Sequence, residues 1–333
     1  MNLKLCLLFI FIISITTISC KKKKPRPIHT DMYFAGCILK YSYQPKTGDY
    51  IYTAAYWKNG IPTLLGDTLT DSRANGIAVD GKDVYVVGYT KDKATYWKNG
   101  VATVLGNGNI YGVAIVGRDV YMAGVINGGD AGETATYWKN GVQTALGTGV
   151  IFSVTNDGSD IYMAGYKSTP NLGDRVATYW RDTTAVALKD TLSGNTEAMS
   201  IFVQDGDVYT AGSFDNQTIP VYWKNSRRTA LADKSQSFSG PADAIYVQGG
   251  DLYAAGYRYA GRNAFAPVYW KNGKAMPLPY AGPKSFASAI AVQDRDVYVA
   301  GSDNYFPVYW KNGALLHLGK GRGQVYAMTI ARY

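Results

Sequence analysis

Short apolar runs with a period of two recur along almost the whole chain, each bounded by glycine, asparagine or aspartate. One kind carries aliphatic residues two apart: Ile77 and Val79, Val113 and Ile115, Ile201 and Val203, Ile245 and Val247, Ile290 and Val292. Residues two apart on a strand share a face, so each pair predicts a strand with that face buried. A second kind reads Asp-x-Tyr-x-x-Gly and starts at Asp31, Asp83, Asp119, Asp160, Asp207, Asp251 and Asp296. A third holds Tyr-Trp, at Trp57, Trp97, Trp138, Trp180, Trp223, Trp270 and Trp310, which are all seven tryptophans of the chain. A fourth ends in Leu-Gly or a close variant, as at Leu105-Gly106. No stretch has a helical period.

The tryptophans stand 40 to 47 residues apart, which marks a repeat of four strands, a to d in chain order. Five repeats join c to d by Lys-Asn-Gly, as at Lys98-Asn99-Gly100. Asn-Gly suits a type I′ hairpin, whose two central residues need positive φ. Tyr96 and Trp97 are neighbours on one strand and so serve opposite faces, and both are large. Each sheet must therefore be covered on both sides. Radially stacked four-stranded sheets meet that demand, which predicts an all-β fold, a β-propeller. Its phase predicts how the ring closes. The Asp31 run is a strand b without a strand a, and Tyr326 to Ile330 has the strand a pattern without a strand b. Pairing the two gives seven four-stranded blades over residues 31–333, closed by the C-terminal strand on the N-terminal one, with two sheet edges removed.

The Trp-x-Asn-Gly-x-x-x-x-Leu-Gly part resembles bacterial extracellular propeller repeats of the HAF type, and Asp-Val-Tyr-Val-Ala-Gly resembles kelch-like repeats. The kelch Gly-Gly doublet is missing, and in kelch Tyr and Trp are not adjacent. The resemblance spans the mature chain and implies the fold. Propellers host many unrelated activities, so it assigns no function.

Residues 1–19 read as an export signal, with Lys4 followed by an almost wholly apolar stretch from Leu5 to Ile18. Thr17-Ile18-Ser19-Cys20 resembles a bacterial lipobox, which implies cleavage before Cys20 and a lipid on that residue. Residues 20–30 then form a basic tether with Lys21 to Lys24 and Arg26. This changes the meaning of the net charge of +9, because residues 1–30 supply six cations and no acid, leaving only +3 for the propeller. A nucleic-acid surface is not expected on that partition. The tether cations fit anionic head groups beside the lipid. An acidic surface-export signal after Cys20 is absent, so the expected location is the cell envelope, on the periplasmic side of the outer membrane. Of three cysteines only Cys37 would remain unmodified in the mature domain, so packing alone must hold the ring.

Candidate chemistry is sparse. The repeated aspartates read either as a calcium ring or as hairpin-turn hydrogen-bond acceptors, and the companion acid that calcium needs is lost in other repeats, as at Gly117-Arg118-Asp119 and Gly249-Gly250-Asp251. The cations before the turn, Lys58, Lys98, Lys139, Arg181, Lys224, Lys271 and Lys311, predict a basic rim on one face. Of two histidines, His29 lies in the tether and His317 on the last strand d. No zinc spacing, phosphate loop or dinucleotide fingerprint occurs, so no metal, cofactor or catalytic residue is assigned. Repeat four departs from the rest at Arg181-Asp182-Thr183 and at Asn156, which either faces the central channel or reflects drift.

The b–c and d–a connections emerge together on the other face and vary in length. The longest, expected over residues 38–53, holds Tyr41, Tyr43 and Tyr50, and the same face carries Tyr257, Tyr259, Tyr305 and Phe306. Aromatic side chains beside polar ones suit stacking on a sugar or gripping a peptide. The same rings also suit capping of the strand ends. The sequence thus supports a monomeric, lipid-anchored binding or scaffold propeller with a glycan or protein ligand. The alternative is a glycan hydrolase or lyase working through acidic loop residues.

Overall fold

The computed structural model describes residues 29–40, 51–127, 132–169, 174–188, 195–215, 218–231, 240–261 and 263–333. Among them every regular element is a strand, all strand pairings are antiparallel, and every strand except the last pairs with a neighbour in sequence. The Tyr-Trp hairpins form as expected: Asn59, Asn99, Asn140, Asn272 and Asn312 take φ of 50–51°, and the glycines after them take 81–85°.

Four sheets have four strands each. The first has the order Gly323–Arg332, Thr30–Lys40, Ile51–Lys58 and Ile61–Leu64, so the last strand of the chain lies beside the first. The others begin at Glu197–Gln204, Ala242–Gln248 and Phe286–Gln293. The ten strands from Ser72–Asp80 to Thr184–Ala187 make one sheet. It is continuous because two long strands, Val101–Val116 and Val142–Asp157, serve first as strand d and then as strand a. Residues 101–107 pair with Lys93–Lys98 and residues 108–116 with Asp119–Asn127; Val142–Asp157 divides in the same way. Each strand a also packs beside the next: Ser72–Asp80, Val101–Val116, Val142–Asp157, Glu197–Gln204, Ala242–Gln248, Phe286–Gln293 and Gly323–Arg332, which returns to Ser72–Asp80.

The Tyr-Trp pair does join two faces. Trp223 shares an apolar cluster with Ala164, Ala177 and Leu188 of the preceding four strands, while Tyr222 packs against the following cluster with Trp270 and Leu231. The same relation links Trp97 to Leu65, Trp138 to Leu105, Trp180 to Leu146 and Trp310 to Leu278. It also links Trp57, near the start, to Leu318, near the end. All seven tryptophans are at most 4% exposed. Each removes roughly 150–250 Å² of side chain from water. At about 25 cal/mol per Å² that is about 4–6 kcal/mol of transfer free energy per ring.

Two features differ from the sequence expectation. The connection expected over residues 38–53 is shorter, because Ile38, Leu39 and Lys40 pair with Thr53, Tyr52 and Ile51 and extend the hairpin. Apolar alternation stops there, but the backbone ladder does not need it. Every strand a also carries one bulge, at Asn75, Tyr111, Phe152, Met199, Asp243, Ser288 and Tyr326. A bulge adds one residue against the partner strand and turns the backbone locally. It explains the glycine of Asp-x-Tyr-x-x-Gly. A Cβ on Gly212 would lie 1.9 Å from the carbonyl oxygen of Glu197, and the equivalent approaches at Gly36, Gly88, Gly124, Gly165, Gly256 and Gly301 are 1.9–2.1 Å.

Alanine for glycine in an ordinary strand stabilises by about 0.5–1 kcal/mol. Here the clash is with backbone and reverses the sign. Gly212→Ala is expected to lower stability by about 1–3 kcal/mol in urea unfolding, the range for forced overpacking. A variant as stable as the parent would show that the bulge is not rigid.

Candidate functional site

The hairpin-turn face carries one constellation seven times. In the second repeat Lys98 Nζ lies 2.8 Å from Asp83 Oδ2 and 5.0 Å from the Tyr85 ring centre. Asn99 Nδ2 donates to Asp83 Oδ1 at 2.8 Å, and Asn99 Oδ1 accepts the Val84 N–H at 2.9 Å. Asp31 with Lys58, Asp119 with Lys139, Asp207 with Lys224, Asp251 with Lys271 and Asp296 with Lys311 repeat the ion pair. The lysine holds Asp83, and each of these other five carboxyls, below the ordinary aspartate range, with the asparagine side chain assisting. Repeat four keeps the design in other residues. Arg181 Nε donates to Asp160 at 3.0 Å, and Asp182, at φ 54°, accepts the Ile161 N–H in place of asparagine. Asn156 there donates to the Gly158 carbonyl within its own turn.

Each cation of the basic rim is thus neutralised by an aspartate of its own repeat. The aspartate oxygens are occupied by lysine or arginine and, in six repeats, by asparagine, and the turn backbone amides go to the asparagine or Asp182 side chain instead. Among the described residues no group of three His, Cys, Asp or Glu stands together.

The opposite end of the strands is irregular, and there each repeat differs. The bulged residues of all seven strands a line one cavity of about 270 Å³. Tyr111 and Phe152 meet edge-on at 5.4 Å, and Phe152 lies 5.9 Å from Tyr166. Tyr326 donates to Gln324 Oε1 at 2.5 Å and lies 3.5 Å from Cys37 Sγ. Burial pushes the Cys37 thiol up to about 11. Arg73 lies 4.6 Å over the Tyr52 ring, and its buried Nε has no hydrogen-bond partner among the described residues.

Asp243 is the only ionisable acid in the cavity lining, which contains no lysine, arginine or histidine. It makes no hydrogen bond or ion pair with the described residues. Burial first, then the charge of Glu197, pushes its carboxyl up to about 8. Glu197 itself is only 3% exposed, is held by Arg175, and does not line the cavity.

Of the residues singled out from sequence, Cys20, Tyr41, Tyr43 and Tyr50 lie outside the described residues. Tyr257 and Tyr259 sit on the strand Asp251–Gly261, edge-on at 6.1 Å. They pack with Phe265, which lies 5.3 Å from Tyr257, and Phe286 lies 5.1 Å from Tyr257. Lys284 Nζ is 4.6 Å from the Phe265 ring centre. Tyr305 occupies a tight turn at φ 68°, with its carbonyl accepting the Gly323 N–H at 2.7 Å, and Phe306 opens the next strand. No ring contact joins those two to the Tyr257 cluster among the described residues. His317 is exposed on the outermost strand Ala314–His317. Sequence reasoning passed over Asp243, although a lone acid in the apolar run Pro241-Ala242-Asp243-Ala244-Ile245 marks it.

No protein-family model matches the chain, and no curated protein matches it. Solved structures do resemble it. The β-propeller domain of the trilobed protease from Pyrococcus furiosus, described as having an open velcro topology, aligns with TM-score 0.52 at 12% identity over 86% of this chain and 92% of that one. An acylaminoacyl peptidase from Pyrococcus horikoshii aligns with TM-score 0.50 at 12% identity over 86% of this chain and 51% of its own. A puromycin-hydrolyzing peptidase from Mycobacterium tuberculosis gives TM-score 0.53 at 12% identity, over 86% and 53%. The chain thus spans about half the length of the two whole peptidases. At this identity the likeness is one of fold: an all-β chain built like β-propeller domains.

Proposed function

We propose that this chain is an exported, lipid-anchored binding or scaffold propeller that takes a glycan or protein partner on its irregular face. One observation carries the reading. On the hairpin-turn face six repeats neutralise their charge with the same Asp, Lys, Asn and Tyr and the fourth does so with Arg181 and Asp182, whereas the groups on the opposite face vary from repeat to repeat. A face that varies on a constant frame is where recognition resides. There, Tyr257, Tyr259 and Phe265 form an aromatic rim with Lys284 beside it, suited to a sugar ring or an extended peptide.

The finer architecture belongs to the same proposal: seven blades in one closed ring, with Gly323–Arg332 on Thr30–Lys40 as the fastening. The cyclic succession of strands a and the Trp57–Leu318 cluster support it. Deleting residues 324–333 exposes two edges, so aggregation or loss of cooperative unfolding is expected. Unfolding like that of the full chain would refute closure.

Cys20 as the lipid attachment, with the tether against anionic head groups, would hold the disc on the periplasmic side of the outer membrane. Cys20→Ala should stay uncleaved or free the protein from membranes in fractionation. A variant that is processed normally and still membrane-bound sinks the anchor.

A glycan hydrolase or lyase is the second reading. It is favoured by Asp243, whose carboxyl burial pushes up to about 8, near a second carboxylate, Glu197, that Arg175 pairs with, since catalytic sites often hold two acids in unlike environments. Glu197 does not line the cavity, which weighs for binding. A screen of glycans and envelope proteins with the purified protein separates the two. Binding without turnover, weakened about tenfold or more by Tyr257→Ala with Tyr259→Ala, is expected. Turnover abolished by Asp243→Asn would replace binding with catalysis, and binding unchanged by the tyrosine substitutions would move the site off this rim.

A further inference from the structure

We propose that the cavity ringed by the seven bulged residues is a separate site for a small organic ammonium ion, held by the Asp243 carboxylate opposite the Tyr111 and Phe152 rings. This goes beyond the rim reading and does not depend on it.

The chemistry of the lining selects the ligand. A single carboxyl with no cationic side chain in the wall excludes an anion, which would meet charge of its own sign and nothing to neutralise it. A neutral ligand gains nothing from an ionised acid that burial disfavours. A divalent metal needs several converging oxygens. The wall offers one carboxylate, the Asn75 amide and the hydroxyls of Tyr111, Tyr326, Ser153, Ser200 and Ser288, of which Ser200 Oγ already accepts the Ile245 N–H at 3.3 Å and the Tyr326 hydroxyl donates to Gln324. An organic cation needs one counter-charge and aromatic faces, and both are present. In the order of the strands a, Tyr111 and Phe152 are consecutive, Asp243 comes two strands after Phe152, and Tyr326 follows two strands later. The rings therefore flank the acid from both directions around the cavity. At about 270 Å³ the space lies just below the usual range for small-molecule pockets, so the ligand is small.

Nothing in the fold requires an acid at this position. The equivalent bulged residues are Asn75, Tyr111, Phe152, Met199, Ser288 and Tyr326, all uncharged at neutral pH, and each occupies the same backbone geometry. Asp243 also has no hydrogen bond or ion pair among the described residues to make it structural. Around it, Glu197 is the charged group on the neighbouring strand a, held by Arg175. Tyr257 titrates on its own hairpin partner, and burial and Asp243 both push that phenol up. On the other side Phe286–Gln293 presents the non-titrating Ser288, and across the cavity stand the phenols of Tyr111 and Tyr326, both pushed up by burial. Between pH 7 and 9 Asp243 is thus the group whose charge changes.

The test is isothermal titration of the full chain in detergent with choline, which keeps its charge at every pH, and with its uncharged isostere 3,3-dimethylbutan-1-ol. Choline is expected to bind one site per chain, at least tenfold more tightly than the isostere at pH 9. Its affinity should rise about tenfold from pH 7 to pH 9 as a carboxyl titrating near 8 loses its proton. Asp243→Asn keeps the shape and removes a disfavoured buried acid, so it should fold and lose choline binding. Phe152→Leu should weaken choline and leave any rim ligand unaffected, which separates this site from the rim. Equal binding of the isostere, undiminished binding by Asp243→Asn, or no saturable choline binding at pH 9 each overturns the proposal.

Discussion

Seven carbonyl oxygens stand where a β-carbon would have to be, and the rest of the structure follows from that crowding. The oxygen of Glu197 approaches Gly212 so closely because strand a bulges at Met199, and the same contact recurs at every repeat. The bulge shifts strand a by one residue, so a side chain that would have faced a neighbouring sheet turns into the shared cavity. Without glycine opposite, the strands would separate and the ladder would be lost at the point of closest approach. The invariant glycine and the variable bulged residue are therefore one device: the first makes room for the backbone, and the second is released from packing.

That release is affordable because the packing on either side is redundant. Each tryptophan fills the space against the leucine that ends strand d of the preceding set, and its tyrosine neighbour covers the following set. The outer ends of the strands are fixed by a third device. An aspartate at the start of strand b holds the lysine that ends strand c and the asparagine of the next turn, so that two hairpins are clamped by one carboxylate. Six of these clamps lie largely in solvent, where single ion pairs contribute little. Their weight is geometric: they set the two turns in register, and each lysine or arginine of the rim meets a counter-charge in its own repeat.

Much of this frame was legible in the sequence. The tryptophan spacing announced the repeat, the alternation gave four strands, and Asn-Gly fixed the turn between c and d. What was not legible is what depends on residues brought together across strands. Asp83 and Lys98 look like independent charges in the sequence, and only antiparallel register makes them partners. A bulge leaves no trace in a period-two pattern, since Asp243 sits between Ala242 and Ala244 as any strand residue would. Residues 38 to 53 read as a loop in the sequence, although backbone pairing carries the hairpin on to Lys40 and Ile51. Repeat four departs in sequence, yet Arg181 and Asp182 rebuild the clamp with different atoms.

The last step concerns how a site is found on a repeat frame. In a unique fold, an odd residue has no standard against which to be odd. Here every position has six counterparts in the same backbone environment, so the requirements of the fold can be separated from the identity of the residue. Lys58 and its counterparts pass as structural because all seven repeats use a cation in the same ion pair. Asp243 does not pass, because six counterparts manage without a carboxyl and burial works against one. A group that the frame does not need, that burial disfavours, and that lines open space is placed to meet what enters that space.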